Sequence, residues 1–198
     1  MQIPTTEDLL RLLEGDFSRF SGFVAVLANS GRIKREHLLK ANKLAAAYAA
    51  AVGLDAQARQ SLLVASTLAD LGELAIPAII LSKPGKLEKE DQELIRRHPQ
   101  LGYEMLSAMR DCDEIARTVL YHQEHFDGSG YPAGLKGEEI PLLARILAVL
   151  EAYAAMTSDR PHRRALSIVE ASRELQAKAG AQFDPAVVEK FLNLGITI

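Results

Sequence analysis

The chain has 198 residues, of which 48% are hydrophobic and 25% are charged, and its formal net charge is −3 with a pI near 6.0. These values indicate one folded domain and exclude nucleic-acid binding through bulk positive charge. No apolar run reaches the roughly eighteen residues of a membrane span, and the acidic start does not resemble a secretory signal. The single cysteine, Cys112, cannot form an internal disulfide. We therefore expect a cytoplasmic protein without nucleic-acid or membrane partners.

Helical periodicity runs through nearly the whole sequence, and no alternating run predicts a sheet. An opening helix is predicted after Thr5, and a second over residues 16–29. We interpret residues 1–30 as an N-terminal helical extension that packs on a main domain of residues 31–198. The predicted fold class is all-α, a single helical bundle.

Two longer helices are predicted next, over residues 34–52 and 55–71. The first helix places His37 on its inward face, because apolar residues follow His37 at the three- and four-residue spacing of one helix face. The second carries Asp70 in its last turn. An acid there opposes the helix dipole, so Asp70 is expected to need a cation.

Proline and glycine break the middle of the chain. Residues 76–86 predict a connector, and a charged helix then runs to His98, where the following proline opens another helix. Asp111 with Glu114 predicts the capping pair of a helix that ends near His122.

The last third of the chain begins with a glycine- and proline-rich loop after His122. A long helix that is apolar nearly all round is predicted over residues 141–158. The final two helices are predicted to start at Ser167, paired with Glu170, and at Asp184, which precedes a proline.

Glu151 is the strongest chemical signal in the sequence, because its neighbours on the long helix are leucine and alanine. An unpaired buried carboxylate costs several kcal/mol, so Glu151 needs a metal, a base or a proton. An arginine or histidine partner is an equally open interpretation.

The histidines favour a metal ion over the other possible partners of Glu151. His37, His98 and His122 fall on apolar helix faces or at a helix break beside one. A single inward histidine is more often a hydrogen-bonded core residue, but three of them with Asp70 and Glu151 favour a metal cluster. Mixed imidazole and carboxylate ligands suit iron, manganese, zinc or nickel.

The loop FDGSGYPAGLKG is rich in glycine but matches neither a P-loop nor a dinucleotide fingerprint. Arg160, Arg163 and Arg164 form a basic tail after the long helix. Two interpretations remain open for this tail. It is either a solvated helix terminus favoured by the dipole or a phosphate-recognition cluster.

From about Ile33 to the C-terminus, the sequence resembles the HD-GYP domains. These are a bacterial branch of the HD superfamily of metal-dependent phosphohydrolases, and they act on cyclic di-GMP. The segments HFDGSGYPAGLKGEEIPLLARILAV and TSDRPHRRALS look like the family signature, while ADLGELAIPAIILSKPGKL, RRHPQLGYEML and FDPAVVEKFL match further blocks. The resemblance implies an HD-domain-like helical bundle with metal ligation at His37, Asp70, His98, His122 and Glu151. Glu151 stands where the family has an aspartate. The residues implied to contact a ligand are Gly130, Tyr131, Pro132, Arg160 and Arg163.

Other positions depart from the family pattern. Ala69 stands where the family has the histidine of its His-Asp pair, and Gln123 stands where it has the second histidine of a tandem pair. Ala154 takes the place of a family aspartate on the long helix. Glu73 stands where the family has a lysine that helps to hold the substrate phosphate, so the charge is reversed at a place where an anion should lie. Phosphodiester cleavage between two ions about 3.5–4 Å apart needs both ions held. These changes therefore predict a degenerate active centre.

The leading hypothesis is a regulatory or interaction module of cyclic di-GMP signalling with impaired or absent hydrolysis. The resemblance suggests that its preserved loop contacts a cyclic-di-GMP synthase-type protein. One alternative is an active phosphodiesterase with a reduced metal site and Asp70 as catalytic residue. A second is a non-hydrolysing cyclic di-GMP sensor that depends on Arg160 and Arg163. We expect a divalent metal at low affinity or none, and a homodimer is compatible with the sequence.

Overall fold

The computed structural model describes residues 18–31, 35–159 and 164–196. The helix predicted after Thr5 lies outside these ranges. The α-helices are α1 (Ser21–Asn29), α2 (Arg35–Val52), α3 (Ala56–Leu68), α4 (Ala78–Leu81), α5 (Lys89–Ile95), α6 (His98–Ser107), α7 (Asp113–Tyr121), α8 (Leu142–Met156), α9 (Ile168–Ala177) and α10 (Pro185–Asn193). Short 3₁₀ helices cover Ser18–Phe20, Leu71–Ala75 and Gly137–Glu139. Within the described ranges there is no β-strand and no helix long and apolar enough to cross a membrane. The predicted all-α class is confirmed.

The long apolar helix α8 lies at the centre of the bundle. It packs against α2, α3, α7, α9 and α10, and it buries residues on all sides, among them Leu143, Ile146, Leu150 and Tyr153. A helix that is apolar all round is stable in water only when it is surrounded. The core position of α8 therefore follows from its composition, and it brings Glu151 into the interior.

Helix α1 and Phe20 of the 3₁₀ helix before it share one core with other described helices. Phe20, Val24 and Leu27 are fully or almost fully buried and belong to the same apolar cluster as the residues of α3 and α8. The division into an extension of residues 1–30 and a domain of residues 31–198 stays a prediction.

Local capping signals were predicted correctly for the last two helices. Ser167 and Glu170 form a reciprocal capping box at α9, and Asp184 accepts hydrogen bonds from the first amides of α10. The capping pair predicted at Asp111 and Glu114 is wrong. Helix α7 begins at Asp113, so Cys112 rather than Asp111 is the capping residue, and it makes no side-chain cap. Asp111 adopts a left-handed conformation instead, with φ of 54°.

The prediction that Asp70 lies in the last turn of a helix is also wrong. Helix α3 ends at Leu68, and Asp70 is the residue before the 3₁₀ helix Leu71–Ala75. Gly72 explains this tight turn. A Cβ atom at Gly72 would lie 2.0 Å from the carbonyl oxygen of His98 and 2.7 Å from the amide nitrogen of Gly102. Only glycine lets this backbone approach α6 so closely, and the contact sets Asp70 beside His98.

Candidate metal centre

A cavity of about 300 Å³ opens where α2, α6, α7 and α8 meet the turn after α3. All five side chains predicted to hold metal line it, namely His37, Asp70, His98, His122 and Glu151. The remaining lining residues are Glu73, Gln123, Glu124, His125, Ala148, Ala152, Ala155 and Gln182. The structure therefore brings together residues that lie more than a hundred positions apart in the sequence.

Two buried histidines face each other across this cavity. The Nδ1 atom of His98 lies 2.8 Å from the carbonyl oxygen of Ile95, and that of His122 lies 2.7 Å from the carbonyl oxygen of Val119. A carbonyl oxygen only accepts, so each Nδ1 carries a proton and donates it. In the neutral rings both Nε2 atoms therefore present lone pairs, and they are 3.4 Å apart. Two lone pairs at this distance require a proton or a cation between them.

Burial keeps one of these imidazoles neutral. Burial, and after it the neighbouring His98, lower the pKa of His122 to about 4, although Asp70 and the Val119 carbonyl act in the opposite direction. Near neutral pH, His122 is unprotonated and its Nε2 is available as a metal ligand.

Asp70 completes a three-residue cluster. Its Oδ1 lies 3.7 Å from Nε2 of His98, and the ligand atoms of Asp70, His98 and His122 all lie within 4.8 Å of one another. Metal–ligand bonds of about 2.1 Å at tetrahedral angles separate ligand atoms by about 3.4 Å. The spacing and the second hydrogen bond of each histidine ring therefore fit a divalent ion.

The other two predicted ligands are hydrogen-bonded to each other. Nε2 of His37 lies 2.8 Å from Oε2 of Glu151, and both side chains are mostly buried. A histidine partner for Glu151 was one of the open interpretations. The pair lines the same cavity as the Asp70 cluster, so it stands beside the candidate ion site.

The positions that depart from the family pattern divide into two groups. Ala69 and Ala154 are buried, at 3% and 0% exposure, and offer no donor atom. Gln123 and Glu73 line the cavity. Position 69 thus offers the cavity no donor atom, whereas position 73 offers it a carboxylate.

Glu124 holds the glycine-rich loop against the cavity. Its Oε1 accepts hydrogen bonds from the amides of Ala133 and Gly134 at 2.7 and 3.0 Å. Gly130 folds back on the same segment, since a Cβ there would lie 2.2 Å from the amide nitrogen of His125. The loop is therefore fixed to the end of α7 by backbone contacts.

Tyr131 links this loop to the metal cluster. Its ring packs edge-on against His98, with centroids 6.4 Å apart, and the guanidinium of Arg96 lies 5.2 Å from its centroid. The bond between Tyr131 and Pro132 is cis. Arg160 and Arg163, the other predicted ligand-contacting residues, lie outside the described residues, and Arg164 is exposed.

Glu124 and Gln182 are among the residues of the cavity wall that sequence reasoning missed. Glu124 follows Gln123 directly, and its signal was an acid placed before a loop whose amides need acceptors. Gln182 comes from the segment before α10, and its carbonyl accepts the amide of Phe126 at 3.2 Å. No local pattern marks Gln182.

An all-α bundle with paired histidines and an aspartate around one cavity agrees with the fold and ligands that the sequence resemblance implies. Residues 24–187 match the family model described as HD domain. The chain belongs to the HD domain family.

Two curated relatives are similar to most of this chain. The chain is 41% identical over 144 residues to the cyclic di-GMP phosphodiesterase response regulator RpfG of Xanthomonas campestris pv. campestris, and the aligned region covers 72% of this chain and 38% of the relative. It is 44% identical over 134 residues to a cyclic di-GMP phosphodiesterase of Pseudomonas aeruginosa, covering 66% and 31%. The resemblance to the HD-GYP domains is confirmed. The chain spans about a third of the length of these relatives.

A solved structure supports the fold. A cyclic GMP-AMP specific phosphodiesterase of Vibrio cholerae superposes with a TM-score of 0.68 at 22% identity, over 96% of this chain and 48% of that one. The HD-domain-like bundle is thereby confirmed.

Proposed function

We propose that this chain is a domain of cyclic di-GMP signalling that works as a regulatory or interaction module, with hydrolysis impaired or absent. One observation carries the proposal. Among the described residues, Asp70, His98 and His122 form a cluster with metal-binding spacing, whereas Ala69 is buried and has no ligand atom. The relatives named as cyclic di-GMP phosphodiesterases supply the signalling context.

The residues at hand fit one divalent ion better than two. His98, His122 and Asp70 would hold it, and such an ion would polarise a phosphoryl oxygen and activate water. His37 and Glu151 are joined to each other instead. Loss even of an outer contact commonly costs about 10–100-fold in metal affinity or activity. The absence of the histidine at position 69 is therefore sufficient to weaken a two-ion reaction severely.

A hydrolysis assay tests this proposal. The full chain is incubated with cyclic di-GMP and added manganese or iron, and products are separated by chromatography. We expect no turnover above that of Asp70→Ala. The exposed control Glu90→Ala should behave as the parent protein does. Turnover that Asp70→Ala abolishes and Glu90→Ala preserves would refute the regulatory proposal.

The second candidate is an active metal-dependent phosphodiesterase with a reduced site. The observation in its favour is that His37 and Glu151 line the same cavity as the Asp70 cluster, so they would flank a second ion if their hydrogen bond opened. Elemental analysis separates the candidates. About one ion per chain agrees with the module, and two ions per chain favour the enzyme.

The proposal also includes a protein partner and a cellular location for this chain. The loop with Gly130, Tyr131 and Pro132 is the surface we assign to a cyclic-di-GMP synthase-type protein, because backbone contacts hold it in one shape. Binding of cyclic di-GMP without cleavage, a cytoplasmic location and a homodimer stay predictions.

A further inference from the structure

Glu73 shares one side of a 3₁₀ turn with Asp70. The amide of Glu73 donates to the carbonyl oxygen of Asp70 at 3.0 Å, and Glu73 belongs to the 3₁₀ helix Leu71–Ala75. Side chains three residues apart eclipse each other in a 3₁₀ helix, which has three residues per turn. Asp70 and Glu73 therefore leave the backbone on the same side, and both line the cavity.

The turn that carries Glu73 is also held against α6. The preceding residue, Gly72, lies against the backbone of His98, so the turn cannot move away from α6 without breaking that contact. Asp70, which shares its side of the turn with Glu73, has its Oδ1 3.7 Å from Nε2 of His98. The turn therefore presents both carboxylates to the cavity that the histidines line.

Two independent features of the cavity favour the binding of a cation. The Nε2 atoms of His98 and His122 face each other at 3.4 Å. In addition, Oε2 of Glu124, a residue only 3% exposed, has no hydrogen-bond partner among the described residues. A tetrahedral ion takes four ligands, and the Asp70 cluster supplies three. Ala69 cannot supply the fourth.

We propose that Glu73 supplies the fourth ligand, so that the chain holds a single divalent ion in a closed site of two histidines and two carboxylates. This inference rests on the proposed regulatory function and deepens it. Structural sites are closed, whereas catalytic sites keep an open position for substrate. With Glu73 as the fourth ligand, no coordination position is left open for a substrate.

The ion acts on the fold in this arrangement. It ties the turn after α3 to the start of α6 and to the end of α7, because its ligands come from those three places. Binding to the folded state alone stabilises the chain by RT ln(1 + c/Kd), where c is the ion concentration, so the stabilisation grows with the logarithm of that concentration once it exceeds Kd. Cobalt in the closed site has a four-coordinate visible spectrum, since coordination geometry is diagnostic.

The test compares metal binding by full-length variants. Protein stripped with chelator is titrated with zinc against a competing indicator, and Glu73→Gln and Glu73→Lys are set beside the exposed control Glu90→Gln. We expect Glu73→Gln to bind at least about 10-fold more weakly, Glu73→Lys to bind more weakly still, and Glu90→Gln to match the parent. A Glu73→Gln protein with parental zinc affinity and an unchanged cobalt spectrum overturns the inference.

Asp70→Asn separates this inference from the proposed function. If Asp70→Asn weakens zinc binding and Glu73→Gln does not, the metal site stands and the role of Glu73 is overturned. If neither change matters, the cluster itself is not the site and the inference falls with it. Turnover of cyclic di-GMP refutes the regulatory function by a different measurement. Circular dichroism of Glu73→Gln, which is nearly isosteric, confirms that the variant is folded.

Discussion

Gly72→Ala is expected to damage both the fold and the metal site. The added Cβ would lie 2.0 Å from the His98 oxygen and 2.7 Å from the Gly102 nitrogen. Both are backbone atoms, so no side chain can turn away. Reaching even 3.0 Å requires a shift of 1.0 Å between the turn and α6. Overpacking of this kind costs about 1–3 kcal/mol, and we expect the upper end, about 3 kcal/mol.

Urea unfolding of the metal-free protein measures this cost, with two other glycines as controls. A Cβ atom at Gly102 would meet a side-chain atom of Val119 at 3.0 Å rather than backbone at 2.0 Å, so Gly102→Ala should cost less. Gly22 has nothing within 4 Å and lies in α1. Alanine there should stabilise the chain by about 0.5–1 kcal/mol. The expected order of stability is therefore Gly22→Ala, parent, Gly102→Ala, Gly72→Ala.

Zinc titration of the same variant tests the site. A shift of the turn carries Asp70 away from His98, now 3.7 Å away, so zinc affinity should fall together with stability. If Gly72→Ala unfolds within about 0.5 kcal/mol of the parent and binds zinc equally well, the reasoning that this backbone contact positions Asp70 is refuted.

Three further changes have defined outcomes. Arg145→Ala removes the partner of Asp184 from a mostly buried pair at 2.6 Å and should cost about 3 kcal/mol in urea unfolding, whereas Lys89→Ala at an exposed pair should leave the midpoint unchanged. Glu124→Ala leaves two loop amides without an acceptor, so we expect a loss of about 1–3 kcal/mol and faster hydrogen exchange confined first to that loop; unchanged exchange would contradict this role. Burial lowers the pKa of His122 from 6.5 to about 4, so the unfolded chain is protonated first as pH falls. The free energy of unfolding of the metal-free protein should then decrease from about pH 6.5 to pH 4, by at most roughly 3 kcal/mol, and His122→Gln should flatten that profile.

Some features of the fold and of the site could be predicted from the sequence, because they depend on contacts between residues only a few positions apart. The capping box of Ser167 and Glu170 needs only residues three apart. His98 and His122 each bond a carbonyl three residues earlier, so their ring orientation is also a local matter. These features depend on short stretches of chain, and the sequence specifies them directly.

The remainder of the site depends on distant contacts. His37 and Glu151 are 114 residues apart, so their pairing could be stated only as one option among several. Asp70 was misplaced because the backbone contact of Gly72 with α6, rather than helix propensity, decides where α3 gives way to a 3₁₀ helix. The role of Glu124 depends on the fold of the loop, because its carboxylate accepts hydrogen bonds from amides nine and ten residues further along the chain.

The charges around the cavity limit what can bind there. Asp70, Glu73, Glu124 and Glu151 line it, and no lysine or arginine does so among the lining residues that the structure describes. The two phosphates of a cyclic dinucleotide meet repulsion in such a site until a cation is present. Ion and nucleotide should therefore strengthen each other's binding by the same factor. A calorimetric titration with cyclic di-GMP in excess chelator checks this, and we expect no measurable binding. Binding that persists without divalent ions would contradict the charge argument, because cations from outside the described residues would then have to supply the attraction.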